Sequence, residues 1–261
     1  MLWGCILNSQ RLKAALVTGA AHRIGRHIAL DLAARGIAVA IHHNNSEEDA
    51  EAAVDEILAC GGDACTVQAD LTDPEQTAAL LENAQEALGQ PFDILLNNAS
   101  IFEDDRLESF SAALWLKHQQ VNLLAPLLLT QAFAANLPEG RHGAIINIID
   151  QRVLKPNPQY LSYSLSKSGL FNATKSCAQA LAPQRIRVNA IAPGPTLANK
   201  QQSKADFATE SASVLLGSGP SLEEIASTVH FILENGAMTG QMIAVDGGQH
   251  LAWRTDDILE D

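Results

Sequence analysis

Short apolar runs recur along the chain, separated by stretches of helix length. Seven runs read as strands: Ala14-Ala15-Leu16-Val17, Ile37-Ala38-Val39-Ala40-Ile41, Ala64-Cys65-Thr66-Val67-Gln68-Ala69, Phe92-Asp93-Ile94-Leu95-Leu96, Ala144 to Ile149, Ile186 to Ala192, and Met242 to Val245. The pattern predicts helices from about Ile24 to Arg35, Glu47 to Cys60, from after Pro74 to Leu88-Gly89, Ser111 to Ala135 and Leu222 to Glu234, with another leading from Tyr163 into Asn172-Ala173-Thr174-Lys175. Strands that alternate with helices, with polar residues gathered where the strands stop, mark an α/β chain with a parallel, doubly wound sheet. A ligand on such a sheet lies along the carboxyl ends of the strands, where the strand order reverses. No repeat, linker or low-complexity stretch interrupts the pattern. Residues 13 to 261 therefore read as one domain, preceded by a short extension of residues 1 to 12. The polar, weakly patterned stretch from Thr196 to Ser218 is a candidate lid.

Nearly half of the 261 residues are apolar and 18% are charged, enough for one sizeable core. The formal charge of −13 argues against nucleic acid or an anionic membrane surface as the main partner, although a local cationic cluster can still hold an anionic cofactor. Cys5, Cys60, Cys65 and Cys177 form no C-x-x-C pair and no metal-ligand spacing with histidine. They read as reduced, mostly buried thiols of a cytoplasmic chain without a metal site. The apolar start, Met1 to Leu7, has no basic flank and reads as neither signal peptide nor membrane span.

The first chemistry lies between the first two strands. Thr18-Gly19-Ala20-Ala21-His22-Arg23-Ile24-Gly25 joins strand to helix, and strand, glycine turn, helix and strand within about 30 residues form a dinucleotide-binding unit. Gly19 allows the tight turn, and Gly25 lets the helix N-terminus approach a pyrophosphate; Ala21 stands where a middle glycine is usual. His22 and Arg23 add positive character there. The second strand runs out into His42-His43-Asn44-Asn45-Ser46, with no carboxylate before Glu47. An acid at this point binds a ribose 2′-hydroxyl, whereas histidines, amides and a hydroxyl can donate to a 2′-phosphate, which favours NADP(H).

The second chemistry lies between Asp150 and Lys167. A strand ends on the carboxylate of Asp150, Lys155-Pro156-Asn157-Pro158 breaks regular structure, and Tyr163 and Lys167 share one face of the next helix. A positive charge about 4 Å from a phenol, at an effective dielectric near 20, is worth roughly 4 kcal/mol, or about three pKa units. That would bring Tyr163 towards neutrality as a general acid or base. Asn122, in mid-helix, calls for a solvated side chain or a local helix irregularity.

Thr18-Gly19 to Gly25, Asp70, Asn97-Asn98-Ala99, Asn122, Tyr163 to Lys167, Pro193-Gly194 and Asp246-Gly247-Gly248 together resemble the short-chain dehydrogenase/reductase family, from about residue 13 to Gln249. The resemblance implies a seven-stranded Rossmann-type sheet, hydride transfer from a nicotinamide and a homotetramer, with His250-Leu251-Ala252-Trp253 as a candidate subunit contact. It implies Tyr163 as proton donor, Lys167 as a ribose-binding residue that lowers the tyrosine pKa, and Asn122 as support for a water relay. Asp70, Leu71, Asn98, Ala99, Ser100, Pro193 and Gly194 would join the turn residues Gly19, Arg23, Ile24 and Gly25 around the cofactor.

Asp150 stands where that family usually has a serine. An ionised carboxylate cannot donate to a carbonyl oxygen and repels a developing alkoxide. It does accept from ring N–H and amino groups, and it carries a proton when its pKa is raised. Asp150, Ser100, Phe102, Arg23 and Tyr160 resemble pteridine reductases, including members that reduce dihydromonapterin and dihydrofolate. That resemblance implies Phe102 stacking on a flat heteroaromatic ring, Arg23, Ser100, Asp150, Tyr160 and Tyr163 beside it, and Ser46 at the 2′-phosphate. Asn45 replaces a basic residue common in that subgroup, and the lid matches nothing in it. A general NADPH-dependent carbonyl or 3-oxoacyl reductase is the second reading. A non-catalytic NADP(H)-binding regulator is the third, and intact Tyr163, Lys167 and Asn122 argue against it.

Overall fold

The structure is a computed structural model that describes residues 12–199 and 202–252. Its strands are β1 (Ala14–Val17), β2 (Ala38–His43), β3 (Ala64–Gln68), β4 (Ile94–Asn97), β5 (Gly143–Ile148), β6 (Ile186–Pro193) and β7 (Met242–Val245). They form one parallel sheet in the order β3-β2-β1-β4-β5-β6-β7. Around it lie α1 (Arg23–Ala34), α2 (Glu47–Ala59), α3 (Pro74–Leu88), α4 (Ala112–Gln119), α5 (Ala125–Asn136), α6 (Leu161–Leu181), α7 (Lys204–Ala212) and α8 (Leu222–Glu234). The strand order reverses between β1 and β4, so the carboxyl ends of these two strands open the binding crevice.

Successive strand residues point to opposite faces, and each face has its own core. Ala15, Val17, Val39, Ile41, Ile94 and Leu96 pack with Ile28 and Leu32 of α1 and with Ile225 and Val229 of α8. Ala14, Leu16, Ala40, Leu95 and Ile145 pack with Leu80 and Leu81 of α3 and with Leu129 and Phe133 of α5. Covering both faces is what makes the strands read as unbroken apolar runs. Each fully buried Leu or Ile contributes about 1.5–3 kcal/mol. Two asparagines inside the sheet form a relay: Asn97 donates to Asn147 Oδ1 at 2.8 Å, and Asn147 donates to Thr174 Oγ1 at 3.0 Å, tying β4 to β5 and α6.

Several boundaries differ from the sequence pattern. β2 continues two residues beyond Ile41, through His42 and His43, while β3 closes at Gln68. The long helix from Ser111 is α4 and α5 joined by a π-helical turn, Gln120–Leu124. The lid holds a helix, α7, capped reciprocally by Ser203 and Asp206: the Asp206 N–H donates to Ser203 Oγ at 3.1 Å and the hydroxyl to Asp206 Oδ2 at 2.7 Å. The thiols are less buried than expected, since Cys60 ends α2 facing solvent and Cys65 and Cys177 are half-buried. Residues 1–11 and Trp253, read as extension and subunit contact, lie outside the described residues.

Candidate active site

The glycine turn is built by β1 and β4 together. Thr18 Oγ1 accepts the N–H groups of Asn98 and Ala99, each at 3.0 Å, and Asn98 Nδ2 donates back to the carbonyls of Thr18 and Gly19. Gly19 has φ +62°, and a Cβ there would come within 2.8 Å of Ala99 Cα; one on Gly25 would stand 2.4 Å from Asn98 Nδ2. α1 opens without a side-chain cap and without an acid in its first turn. Its free N–H groups and the positive end of its dipole therefore remain for an anion, and the turn fits a dinucleotide pyrophosphate. Asp70 is spent locally, accepting from the Thr72 amide and hydroxyl at 2.9 and 2.8 Å, with Leu71 buried beside it. Gly194 packs on the Asp246 turn, where a Cβ would lie 2.7 Å from Asp246 Cα.

The end of β2 departs from expectation. His42 and His43, expected to offer donors to a 2′-phosphate, are almost fully buried. His42 Nδ1 accepts the Gly19 N–H at 3.0 Å and Nε2 faces the Ala69 carbonyl at 3.1 Å, which requires the neutral tautomer protonated on Nε2. Burial pushes this imidazole down to about 4. His42 therefore joins the turn to β3 and has no donor to spare for a phosphate. His43 Nδ1 is buried without a protein partner. Asn44 and Asn45 are exposed, and the Ser46 side chain opens α2 without making a cap bond.

Tyr163 is the centre of the second cluster. Its hydroxyl donates to Asp150 Oδ2 at 2.9 Å, and Asp150 Oδ1 accepts the Arg152 N–H at 2.8 Å. Burial raises the Asp150 carboxyl above the usual carboxylate range. The expectation that Lys167 lowers the phenol is reversed: burial, then the Asp150 charge, push Tyr163 well above its ordinary value. Lys167 Nζ turns to the Ile148 carbonyl at 2.8 Å and stays 5.8 Å from the phenol ring centroid. Burial brings Lys167 itself down to about 8.

Both tyrosines of the chain meet here. Tyr160 stacks on Phe102 with ring centroids 4.1 Å apart, and Tyr163 stands edge-on to Phe102 at 4.6 Å. Phe102, expected to face a ligand ring, thus has one face covered by the protein's own Tyr160. Tyr160 holds a left-handed backbone, φ 53°, just before α6.

Asn122 sits in the π-helical turn and is fully buried. Its Oδ1 accepts from the Ile101 N–H and the Ser100 hydroxyl, and its Nδ2 donates to the Ile101 carbonyl and Ser166 Oγ. With all four positions filled, the side chain holds the Ser100–Phe102 loop against α6. Asp105, which the sequence pattern did not single out, does the same from the other end of that loop. It is buried, accepts the Ser162 N–H at 2.9 Å and the Ser162 hydroxyl, and caps α6 through space. Arg23, at φ 56°, points its guanidinium at the lid, donating to Ala198 O at 2.6 Å and Leu197 O at 3.1 Å. Among the described residues no three His, Cys, Asp or Glu side chains converge as a metal site, and no helix is long and apolar enough to cross a membrane.

Residues 13–209 match the family model for short chain dehydrogenases. The 3-oxoacyl-[acyl-carrier-protein] reductase FabG of Staphylococcus aureus is 35% identical over 243 residues, 92% of this chain and 98% of that protein. The 3-oxoacyl-[acyl-carrier-protein] reductase of Synechocystis is 34% identical over 239 residues, 90% of this chain and 96% of that protein. Among solved structures, FolM alternative dihydrofolate reductase 1 from Brucella suis in complex with NADP aligns with a TM-score of 0.91 and 48% identity, over 95% of this chain and 98% of that one. The angucycline C-6 ketoreductase LanV with bound NADP aligns with a TM-score of 0.85 and 31% identity, over 92% and 96%.

Proposed function

The chain belongs to the short-chain dehydrogenase family, and from that premise we propose that it is an NADPH-dependent reductase acting on a C=N bond of a dihydropterin or folate-like ring. The observation that carries this reading is the 2.9 Å hydrogen bond from Tyr163 to Asp150 beside the Phe102 ring. It joins two acids of raised pKa to an aromatic platform, which suits protonation of a ring nitrogen rather than stabilisation of an alkoxide. The 48% identity to a FolM dihydrofolate reductase crystallised with NADP supports both the cofactor and the ring class.

Bound NADPH would supply the hydride. The α1 N-terminus, with Gly19, Arg23, Ile24 and Gly25, would hold its pyrophosphate, and His43, Asn44, Asn45 and Ser46 its 2′-phosphate. Asp70, Leu71, Asn98, Ala99, Ser100, Pro193 and Gly194 would line the remainder, with Lys167 at the ribose. Tyr163 and Asp150 are coupled by their hydrogen bond, and the protonated carboxyl, with the phenol O–H beside it, would donate to the ring nitrogen as the neighbouring carbon is reduced. Phe102 and Tyr160 would position the ring, and Arg23 and Ser100 its polar edge. A cytoplasmic homotetramer belongs to the same proposal, on the family resemblance. The 35% identity to 3-oxoacyl reductases favours a carbonyl reductase as the second reading, and Asp150 opposes it.

The test is Asp150→Ser, followed by NADPH fluorescence titration and pterin turnover. Pterin kcat/KM should fall by roughly 10²- to 10⁴-fold while the NADPH Kd moves by less than about threefold. Equal losses in both would remove Asp150 from the substrate site.

A further inference from the structure

Arg152 has no role in the chemistry described so far, yet it stands within the cluster. Its guanidinium carbon lies 5.5 Å from the Phe102 ring centroid and 4.9 Å from that of Tyr160. Those rings are only 4.1 Å apart, so one cation lies against both members of the stacked pair. The Nε end is taken up by Asp150, 3.8 Å away, and the side chain is only 15% exposed. Nη1 is shielded from solvent and meets no acceptor. An unspent cationic donor out of water is costly to keep, and points to an acceptor that arrives with a ligand. Gln151 Oε1 and Ser164 Oγ, each one residue from Asp150 or Tyr163, are likewise buried without partners. Three of the six buried side-chain polar atoms without partners among the described residues thus belong to residues within two positions of Asp150 or Tyr163.

We infer that Arg152 is a substrate-binding residue, its Nη1 donating to an acceptor atom, a lone-pair ring nitrogen or a carbonyl oxygen, of the planar ring that lies on Phe102. The inference rests on the reductase reading above and adds to it a donor that selects the ring. A planar guanidinium stacks on aromatic faces and still directs its N–H fork at an acceptor on a neighbouring ring. It offers less to a ketone on a flexible chain, which presents no rigid ring edge to hold the acceptor in the guanidinium plane. Asp150 and Arg152 then form one composite edge: the carboxyl serves the protonated nitrogen and the guanidinium serves the neighbouring acceptor.

The experiment uses the full chain as wild type, Arg152→Met and Arg152→Lys. Dihydrobiopterin binding to the NADP⁺-loaded protein is measured by calorimetry, with NADPH affinity as the control for folding. Methionine keeps an apolar stem of similar reach without the donor, and lysine keeps the charge without the planar fork. Arg152→Met should weaken dihydrobiopterin binding about 10- to 100-fold, with Arg152→Lys recovering only part of it. NADPH affinity should stay within about threefold in all three proteins. Unchanged pterin affinity in Arg152→Met overturns the inference, as does unchanged affinity with a lower kcat and a shifted pH profile, which would mean that Arg152 acts only on Asp150. If the wild type itself binds no pterin while binding NADPH, the reductase reading fails first and the inference falls with it.

Discussion

Replacing Lys167 with Met should abolish catalysis and stabilise the fold at neutral pH. Lys167 is 2% exposed and its ammonium is held down to about 8 from an ordinary 10.5. The shift corresponds to a cost of about 3 kcal/mol for carrying the charge inside the folded protein. Methionine removes that cost but leaves the Ile148 carbonyl without the Nζ donor at 2.8 Å, a loss of about 1–3 kcal/mol. The expected net gain at pH 7 is about 1 kcal/mol, or roughly 2–4 °C in Tm.

The pH dependence is the sharper test. Below pH 8 both folded and unfolded states carry the proton, so the wild type bears the full cost. Between about 8 and 10.5 only the unfolded state keeps it, so wild-type stability rises with pH across that window while the Met variant lacks this contribution. Urea unfolding of both proteins at matched concentration, from pH 7 to 10, should show the difference moving by about 3 kcal/mol in favour of the wild type. A difference that stays flat across that range would refute the assignment of a buried, strained ammonium.

Two further predictions concern the proton pair and its support. Because burial raises Asp150 and the protonated carboxyl is the donor, pterin turnover should rise as pH falls from neutrality towards the ordinary carboxylate range. Asp150→Ser should flatten that limb, and a wild-type rate that declines on mild acidification while the protein stays folded would contradict the role. Asp105→Ala removes both bonds that cap α6 at Ser162, at a cost of about 1–2 kcal/mol, and loosens the loop that carries Phe102. Its melting temperature should drop and KM for the pterin should rise more than kcat falls; an unchanged melting temperature would show that the cap is idle.

The sheet was legible because burial on both faces leaves unbroken apolar runs, and the glycine turn because its backbone needs residues without Cβ. What escaped the pattern depends on partners distant in sequence. β2 extends through His43 because its ladder with β3 continues, His42 against Val67 and His43 against Gln68, and Gly19, 23 residues away, supplies a donor to the His42 ring. Asp105 caps a helix 57 residues further on, and no local spacing announces such a bond. The Tyr163–Lys167 pair was readable as a pair, but the sign of its effect was not. That sign is set by burial of the phenol and by the Asp150 charge that its hydroxyl faces. The helix α7 was readable in principle, since Ser203-x-x-Asp206 is a capping signal that a polar surrounding stretch obscured.

The central claim is that Asp150 and Tyr163 protonate a ring nitrogen above the Phe102 platform. Its most direct test is NADPH consumption by the wild-type protein with dihydrobiopterin, dihydromonapterin and dihydrofolate, each beside a simple β-keto ester under the same conditions. Turnover of at least one of the three pterin substrates above the keto ester is the predicted result. Turnover of the keto ester alone would contradict it, and would leave the protein a carbonyl reductase with a carboxylate facing its own alkoxide.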